Sequence, residues 1–184
     1  MKHLYYARHG ESFINIRDIF ATKLGDANDL GLTETGKRQA LQEGKKAAVD
    51  KLKIDLIVSS PLLRARETAE IIAHEIGYSV QDVVLNELFL ELQFGELEGT
   101  PWNAWWKAGN TYEDLGKYLG CETIEMLQQR AEKAYTYLQS MPEENILVVS
   151  HSAFGRALRR VVNGEPSSTE RAISLPHGEI IQLV

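Results

Sequence analysis

Cysteine is nearly missing from this chain: Cys121 is the single one in 184 residues. One thiol closes no intrachain disulfide and builds no cysteine-based zinc site, which fits a reducing compartment. Long apolar runs are missing as well. No stretch approaches the roughly 18 residues of a membrane span, and the opening MKHLYYARHG has too short an apolar run for a secretory signal. Positive charge is in deficit, with 20 Lys and Arg against 26 Asp and Glu, a net charge of -6. Nucleic acid is therefore not the obvious partner, and any basic site must be a local concentration of cations. Internal repeats and low-complexity segments are also absent, and no internal boundary stands out. The expectation is one domain over residues 1–184, soluble and cytoplasmic, with no membrane partner.

Several chemical signatures come close and fail. GLTETGKR, residues 31–38, nearly spells a P-loop, but Arg38 stands where the magnesium-binding Ser or Thr is required, and GDANDL before it is no buried strand. A turn into a helix explains it better. His9-Gly10-Glu11 has the H-x-E of zinc deaminases without the P-C-x-x-C partner. Neither H-E-x-x-H nor G-x-S-x-G occurs, so metallohydrolase and serine-hydrolase readings fall away.

What is present alternates between two periodicities. Residues 3–8, 54–60, 145–150 and 178–184 read as strands, and 82–90 as another extended piece. Ala40, Leu41, Ala47, Ala48 and Leu52 give a helical pattern over 34–52. A second helix carries Leu62, Ala65, Ala69, Ile72, Ala73 and Ile76 on one face, with Ser60 as N-cap, Pro61 at its first position and Gly77 as its stop. Helix 123–139 is the clearest, and another follows strand 145–150 and ends by Gly164. Residues 13–32 read as a long loop or broken helix. Residues 95–120 are glycine-rich around Trp102, Trp105 and Trp106. Strands separated by helices predict an α/β fold with a largely parallel sheet.

Three strand-to-helix junctions carry the same kinds of group: YARHG, VSSPLLRAR and VVSHS. In open α/β sheets ligands bind beyond the carboxyl ends of the strands. Arg8, His9, Arg64 and His151 are thus expected to meet at one edge. Two guanidiniums and two imidazoles there describe a site for a compact dianion such as phosphate.

RHGESFIN, LTETGKRQA, SSPLLRARETA, ELQFGELEG and VVSHS also occur in the order typical of the histidine phosphatase superfamily, which the chain resembles over practically its whole length. The resemblance implies a three-layer α/β/α sandwich of the phosphoglycerate mutase-like kind. It implies that His9 accepts the phosphoryl group, that Arg8 and Arg64 bind its oxygens, that His151 adds a donor and that Asn15 adds a contact. Glu91, in ELQFG, matches the proton donor, ahead of Glu11. Phe89, Leu92 and Phe94 would give it apolar surroundings. Ser152 follows His151 where family members often have glycine, and Glu122 in GCET resembles a stretch near the substrate mouth. His3, His74 and His177 are expected to lie outside the site.

The expected chemistry is hydrolysis of a small phosphorylated metabolite through phosphohistidine, with no metal and no cofactor because the arginines supply the positive charge. One alternative is a cofactor-dependent phosphoglycerate mutase, which needs further cations. Arg17, Lys23 and Lys107 are the nearby candidates by sequence. Another is a catalytically silent phosphate-binding regulator. The three tryptophans either cover the leaving group or pack the core. Neither the physiological substrate nor the oligomeric state follows from these residues.

Overall fold

The computed structural model describes residues 1–168 and 175–184. Strands β1 (His3–Arg8), β2 (Leu56–Ser59), β3 (Val84–Leu85), β4 (Asn145–Ser150) and β5 (Ile180–Gln182) form one sheet in the order β3-β2-β4-β1-β5. The first four are mutually parallel, and β5 runs antiparallel to β1. Helices α1 (Phe13–Arg17), α2 (Glu34–Val49), α3 (Leu63–Glu75), α4 (Trp102–Lys107), α5 (Ile124–Ser140) and α6 (Ser152–Asn163) complete the described elements, with a few short 3-10 turns.

Strand alternation builds two cores. Ala7, Ile57, Leu147 and Val149 cluster with Ala69, Ile72 and Ala73 of α3 on one face. Leu4, Tyr6, Val58, Ile146 and Val148 join Leu127, Ala131, Ala134 and Leu138 of α5 and Phe154, Ala157 and Leu158 of α6 on the other. Helices on both faces of a mostly parallel sheet make the expected three-layer sandwich. All six residues of β4 are buried, because it lies between β1 and β2 and is covered on both sides.

Several local boundaries differ from expectation. Residues 13–32 open with the short helix α1 and then run as loop. Thr33 caps α2, accepting from Gly36 N at 3.0 Å, so the near-P-loop is a helix start. Helix α3 begins at Leu63 rather than at Pro61, with Leu62 at its N-cap; Ser60 Oγ accepts from Leu62 N at 3.4 Å and lies 2.8 Å from His151 Nε2. Gly77, at φ +73°, follows its end as expected. Of residues 82–90 only Val84–Leu85 is strand, and a 3-10 turn at Glu87–Phe89 follows.

Parallel pairing aligns the strand ends that matter. Arg8 stands opposite Ser150, and Ser59 opposite Val149. The residues leaving β1, β4 and β2, namely His9, His151 and Ser60, therefore emerge at one sheet edge. The chain passes from β1 to β2 two places away and later returns β4 between them, which creates the switch in strand order where ligands bind.

Candidate active site

At that edge lies a cleft of about 430 Å³ lined by Arg8, His9, Asn15, Arg64, Glu91 and Ser152 among others. These are six of the seven residues expected there. The seventh, His151, is fully buried beside His9, with ring centroids 5.2 Å apart.

His9 is held on both sides of its backbone and at its ring. Its N–H donates to Ser150 O at 2.9 Å, and its Nδ1 lies 2.7 Å from Gly10 O. A carbonyl only accepts, so Nδ1 carries the proton and Nε2 keeps its lone pair. Burial, then the Arg64 and Arg8 charges, hold this imidazole well below the usual histidine range. His151 is pushed down by the same causes, and its Nε2 lies 2.8 Å from Ser60 Oγ. Arg8 Nε, Arg64 Nη1 and His151 Nδ1 are buried with no hydrogen-bond partner among the described residues. Buried polar atoms are normally satisfied, so these three nitrogens on His9's neighbours leave hydrogen-bonding capacity that an anion could fill.

The remaining motif residues buttress this floor. Thr68 Oγ1 donates to Arg64 O at 2.7 Å and accepts from Gly10 N at 3.1 Å, tying the first turn of α3, which carries Arg64, to the loop after β1. Thr33 N donates to Glu11 O at 3.0 Å, and Glu11 Oε1 accepts from Thr33 Oγ1 at 2.7 Å. A Cβ on Gly36 would stand 1.9 Å from Glu11 O, and one on Gly10 would stand 2.5 Å from Gly36 O. Both glycines permit backbone contact between the loop after His9 and the first turn of α2. Asn15 Oδ1 accepts from Ser12 N and Oγ at 2.9 and 2.8 Å, leaving its amide nitrogen for the cleft.

Of the three apolar neighbours expected around Glu91, Phe94 lines the cleft with it, whereas Phe89 and Leu92 turn fully into the core and the carboxylate sits at the start of α6. Its Oε1 accepts from Leu92, Ala153 and Phe154 N–H at 3.0, 3.1 and 3.0 Å, and its Oε2 from Ala153 N at 3.2 Å. Oε2 is thus the less engaged oxygen. Glu122 is displaced from its expected place near the mouth. It is buried and pairs through both oxygens with Arg130, at 2.8 and 2.6 Å. Arg130 in turn donates to the carbonyls of Leu88, Leu90 and Glu91, at 3.0, 2.7 and 3.0 Å, so this ion pair shores up the segment that carries Glu91.

His177 stays out of the cleft lining, as expected, yet packs against His9 from behind: its ring centroid lies 5.4 Å from that of His9, and its Nδ1 donates to His9 O at 2.9 Å. The antiparallel return of β5 brings the LPHG loop back against β1, which no local pattern announces. Arg156 lines the cleft, whereas Arg17, Lys23 and Lys107 do not. Its signal was available in helical spacing, since it stands one turn after Ser152 on the helix that starts at the site. The tryptophans divide. Trp102 and Trp106 line the cleft with Phe20, Phe94 and Tyr112, while Trp105 is buried in the core behind them. Edge-to-face contacts, Trp105 with Trp106 at 4.6 Å and Trp106 with Tyr112 at 5.1 Å, knit this wall together.

The chain is similar to known proteins in sequence and in fold. The chain is 33% identical over 183 residues to the probable phosphoglycerate mutase GpmB of Erwinia tasmaniensis, spanning 95% of this chain and 81% of that one. It is 34% identical over 158 residues to the uncharacterized phosphatase PhoE of Bacillus subtilis, spanning 85% and 75%. Its fold superposes on the phosphoserine phosphatase of Entamoeba histolytica, solved with 3-phosphoglyceric acid, with a TM-score of 0.77 at 25% identity, over 99% and 90% of the two chains. The family model of the histidine phosphatase superfamily (branch 1) matches residues 4–184, and the chain belongs to that superfamily.

Proposed function

We propose that this chain is a phosphomonoesterase of one domain that hydrolyses a small phosphorylated metabolite through a covalent phosphohistidine on His9. The observation that carries this reading is the neutral His9 imidazole, its Nδ1 proton held by Gly10 O, among buried unpartnered nitrogens of Arg8, Arg64 and His151. A phosphate dianion that accepts hydrogen bonds from those nitrogens stands before the His9 Nε2 lone pair. Nε2 attacks phosphorus in line, the ester P–O bond breaks, and Glu91 Oε2 gives its proton to the departing alkoxide. Water then attacks the phosphohistidine while Glu91 takes one of its protons, releasing inorganic phosphate and restoring His9. The guanidiniums stabilise the charge spread over the phosphoryl oxygens, so this route uses no metal and no cofactor. Among the described residues no helix is long and apolar enough to cross a membrane. We place the protein in the cytoplasm on its cysteine usage.

The mutase reading draws on the likeness to the probable phosphoglycerate mutase. A bisphosphate intermediate must be held by a second cation set while it turns over. Arg156 is the one cation that lines the cleft beyond Arg8 and Arg64 among the described residues, which favours capture by water. The test is hydrolysis of p-nitrophenyl phosphate with a metal chelator present. The wild type should turn over and form a rapid, acid-labile, base-stable phosphoprotein, and His9→Ala should do neither. Undiminished turnover by His9→Ala would overturn the nucleophile assignment. With 3-phosphoglycerate and catalytic 2,3-bisphosphoglycerate, 2-phosphoglycerate formation far exceeding phosphate release would favour the mutase.

A further inference from the structure

Beside His9 lies a buried pair whose shared proton has one satisfactory place. Ser60 and His151 are both fully buried, and Ser60 Oγ stands 2.8 Å from His151 Nε2. Among the described residues Ser60 Oγ meets one other group, Leu62 N, which donates to it at 3.4 Å. Leu62 and not Ser60 is the N-cap of α3, so helix capping does not account for the hydroxyl. The backbone of His151 is held as well, its carbonyl accepting from the Tyr6 hydroxyl and, at 3.0 Å, from Gly155 N. Its Nδ1 is buried with no partner among the described residues.

A ring nitrogen and a hydroxyl can share a hydrogen bond in either direction, and satisfaction of the buried groups decides which. If Nε2 carried the proton and donated it, the Ser60 hydroxyl hydrogen would be buried with no acceptor among the described residues. Nδ1, the nitrogen left over for an anion, would then hold a bare lone pair. Both results are costly in a buried site. With the Ser60 O–H donating to Nε2, the hydroxyl is satisfied and the ring proton sits on Nδ1. Burial and the Arg64 and Arg8 charges oppose a second ring proton.

We propose that Ser60 is a positioning residue: its hydroxyl donates to His151 Nε2 and so fixes the tautomer whose Nδ1–H donates to a phosphoryl oxygen. This rests on the phosphomonoesterase reading of the same site. His9 and His151 thus keep a proton on the same ring nitrogen for opposite ends. On His9 the Gly10 carbonyl holds the Nδ1 proton and frees Nε2 to attack. On His151 the Ser60 hydroxyl fills Nε2 and leaves Nδ1–H to stabilise charge on the phosphoryl group. Parallel pairing of β2 with β4 sets up the contact, since Ser60 N donates to Val149 O at 3.0 Å just before His151 leaves β4.

The first experiment reads the ring-nitrogen NMR shifts of His151 in the wild type at neutral pH, where protonated and bare nitrogens are well separated. Nδ1 should be protonated and Nε2 bare, and this measurement needs no variant to fold. The second is a mutant cycle on p-nitrophenyl phosphate. Ser60→Ala should lower kcat by about 10-fold or more, toward the ~10²–10³ of a deleted transition-state donor, with KM little changed. In a His151→Ala background the same substitution should change kcat by less than about two-fold, because the group through which Ser60 acts is gone. A merely structural serine would cost the same in both backgrounds, and that result overturns the proposal. So does a wild-type His151 protonated on Nε2, alone or together with Nδ1, and so does a Ser60→Ala variant with wild-type kcat. These failures leave turnover of p-nitrophenyl phosphate by the wild type intact. A wild type inert toward that ester overturns the phosphomonoesterase reading, and this proposal with it.

Discussion

The floor and the wall of the cleft are built to opposite specifications. On the floor, His9, Arg64 and His151 are 4%, 3% and 0% exposed, and hydrogen bonds from neighbouring strand ends and helix starts tie down the loops and the first turn of α3 that carry them. The wall comes from α4 and the 3-10 turn Tyr112–Lys117, and its outer tryptophan, Trp102, is 37% exposed. Aromatic edge-to-face contacts hold it, with few hydrogen bonds to the sheet. Chemistry needs atoms fixed to a fraction of an ångström, which strand ends supply. Selecting a leaving group needs only surface of the right shape, which short helices supply and can change without disturbing the floor.

Four perturbations break or sharpen this contrast. The largest effect should come from Glu91→Gln, which removes the transferable proton from a group seated on α6. Hydrolysis of alkyl phosphates should slow by about 10²–10⁴, with a smaller loss for p-nitrophenyl phosphate, whose leaving group needs little protonation. Equal single-turnover losses on both would remove Glu91 from the donor role. Next is Gly36→Ala, which drives a methyl group into Glu11 O and must push the loop after His9 away from α2. A cost of about 1–3 kcal/mol is expected, lowering Tm by about 2–4 °C per kcal/mol in a chain of this size. It should also lower kcat, since the displaced loop carries His9, the proposed nucleophile. A variant with wild-type Tm and kcat would mean the contact is dispensable.

The third perturbation is acid. His9 and His151 are held neutral in the folded chain by burial and by the neighbouring arginines. The unfolded chain binds protons at these positions once pH falls below about 6.5, and the folded chain does not. Unfolding then takes up protons, so stability is full above that pH and falls as pH drops toward the folded values. The slope should approach about 1.4 kcal/mol per pH unit for each imidazole. Urea midpoints between pH 7.5 and 5 measure this, and His9→Ala should shed its share of the slope. A flat profile would mean these rings protonate in the native state. The smallest effect should come from the wall: Trp102→Ala should raise KM by up to about ten-fold while kcat changes little, the pattern of lost uniform binding. A kcat loss comparable to that of Glu91→Gln would erase the distinction between floor and wall.

Much of the floor was legible because its signals are local. A short apolar strand followed by Arg8-His9-Gly10 or by Ser150-His151 places its polar residues at a strand end whatever the rest of the chain does, and parallel pairing brings such ends to one edge. Helical periodicity likewise located α2, α3, α5 and α6 within a few residues. Glu91 was placed by its motif, but its surroundings were not, since α6 supplies the N–H groups that hold it from 62 and 63 positions away.

Other assignments depended on packing that no local pattern encodes. His177 packs against His9 because β5 runs antiparallel to β1, a choice made by pairing at the sheet edge. Glu122 lies away from the cleft because Arg130 of α5 offers a buried partner. Trp105 and Trp106 are neighbours in sequence, yet the orientation of α4 sends one to the core and the other to the cleft. Local pattern alone sets which groups end the strands, and so the cationic and imidazole character of the sheet edge. Which further side chains face that edge depends on packing, because direction on a helix or loop is set by the surfaces it packs against.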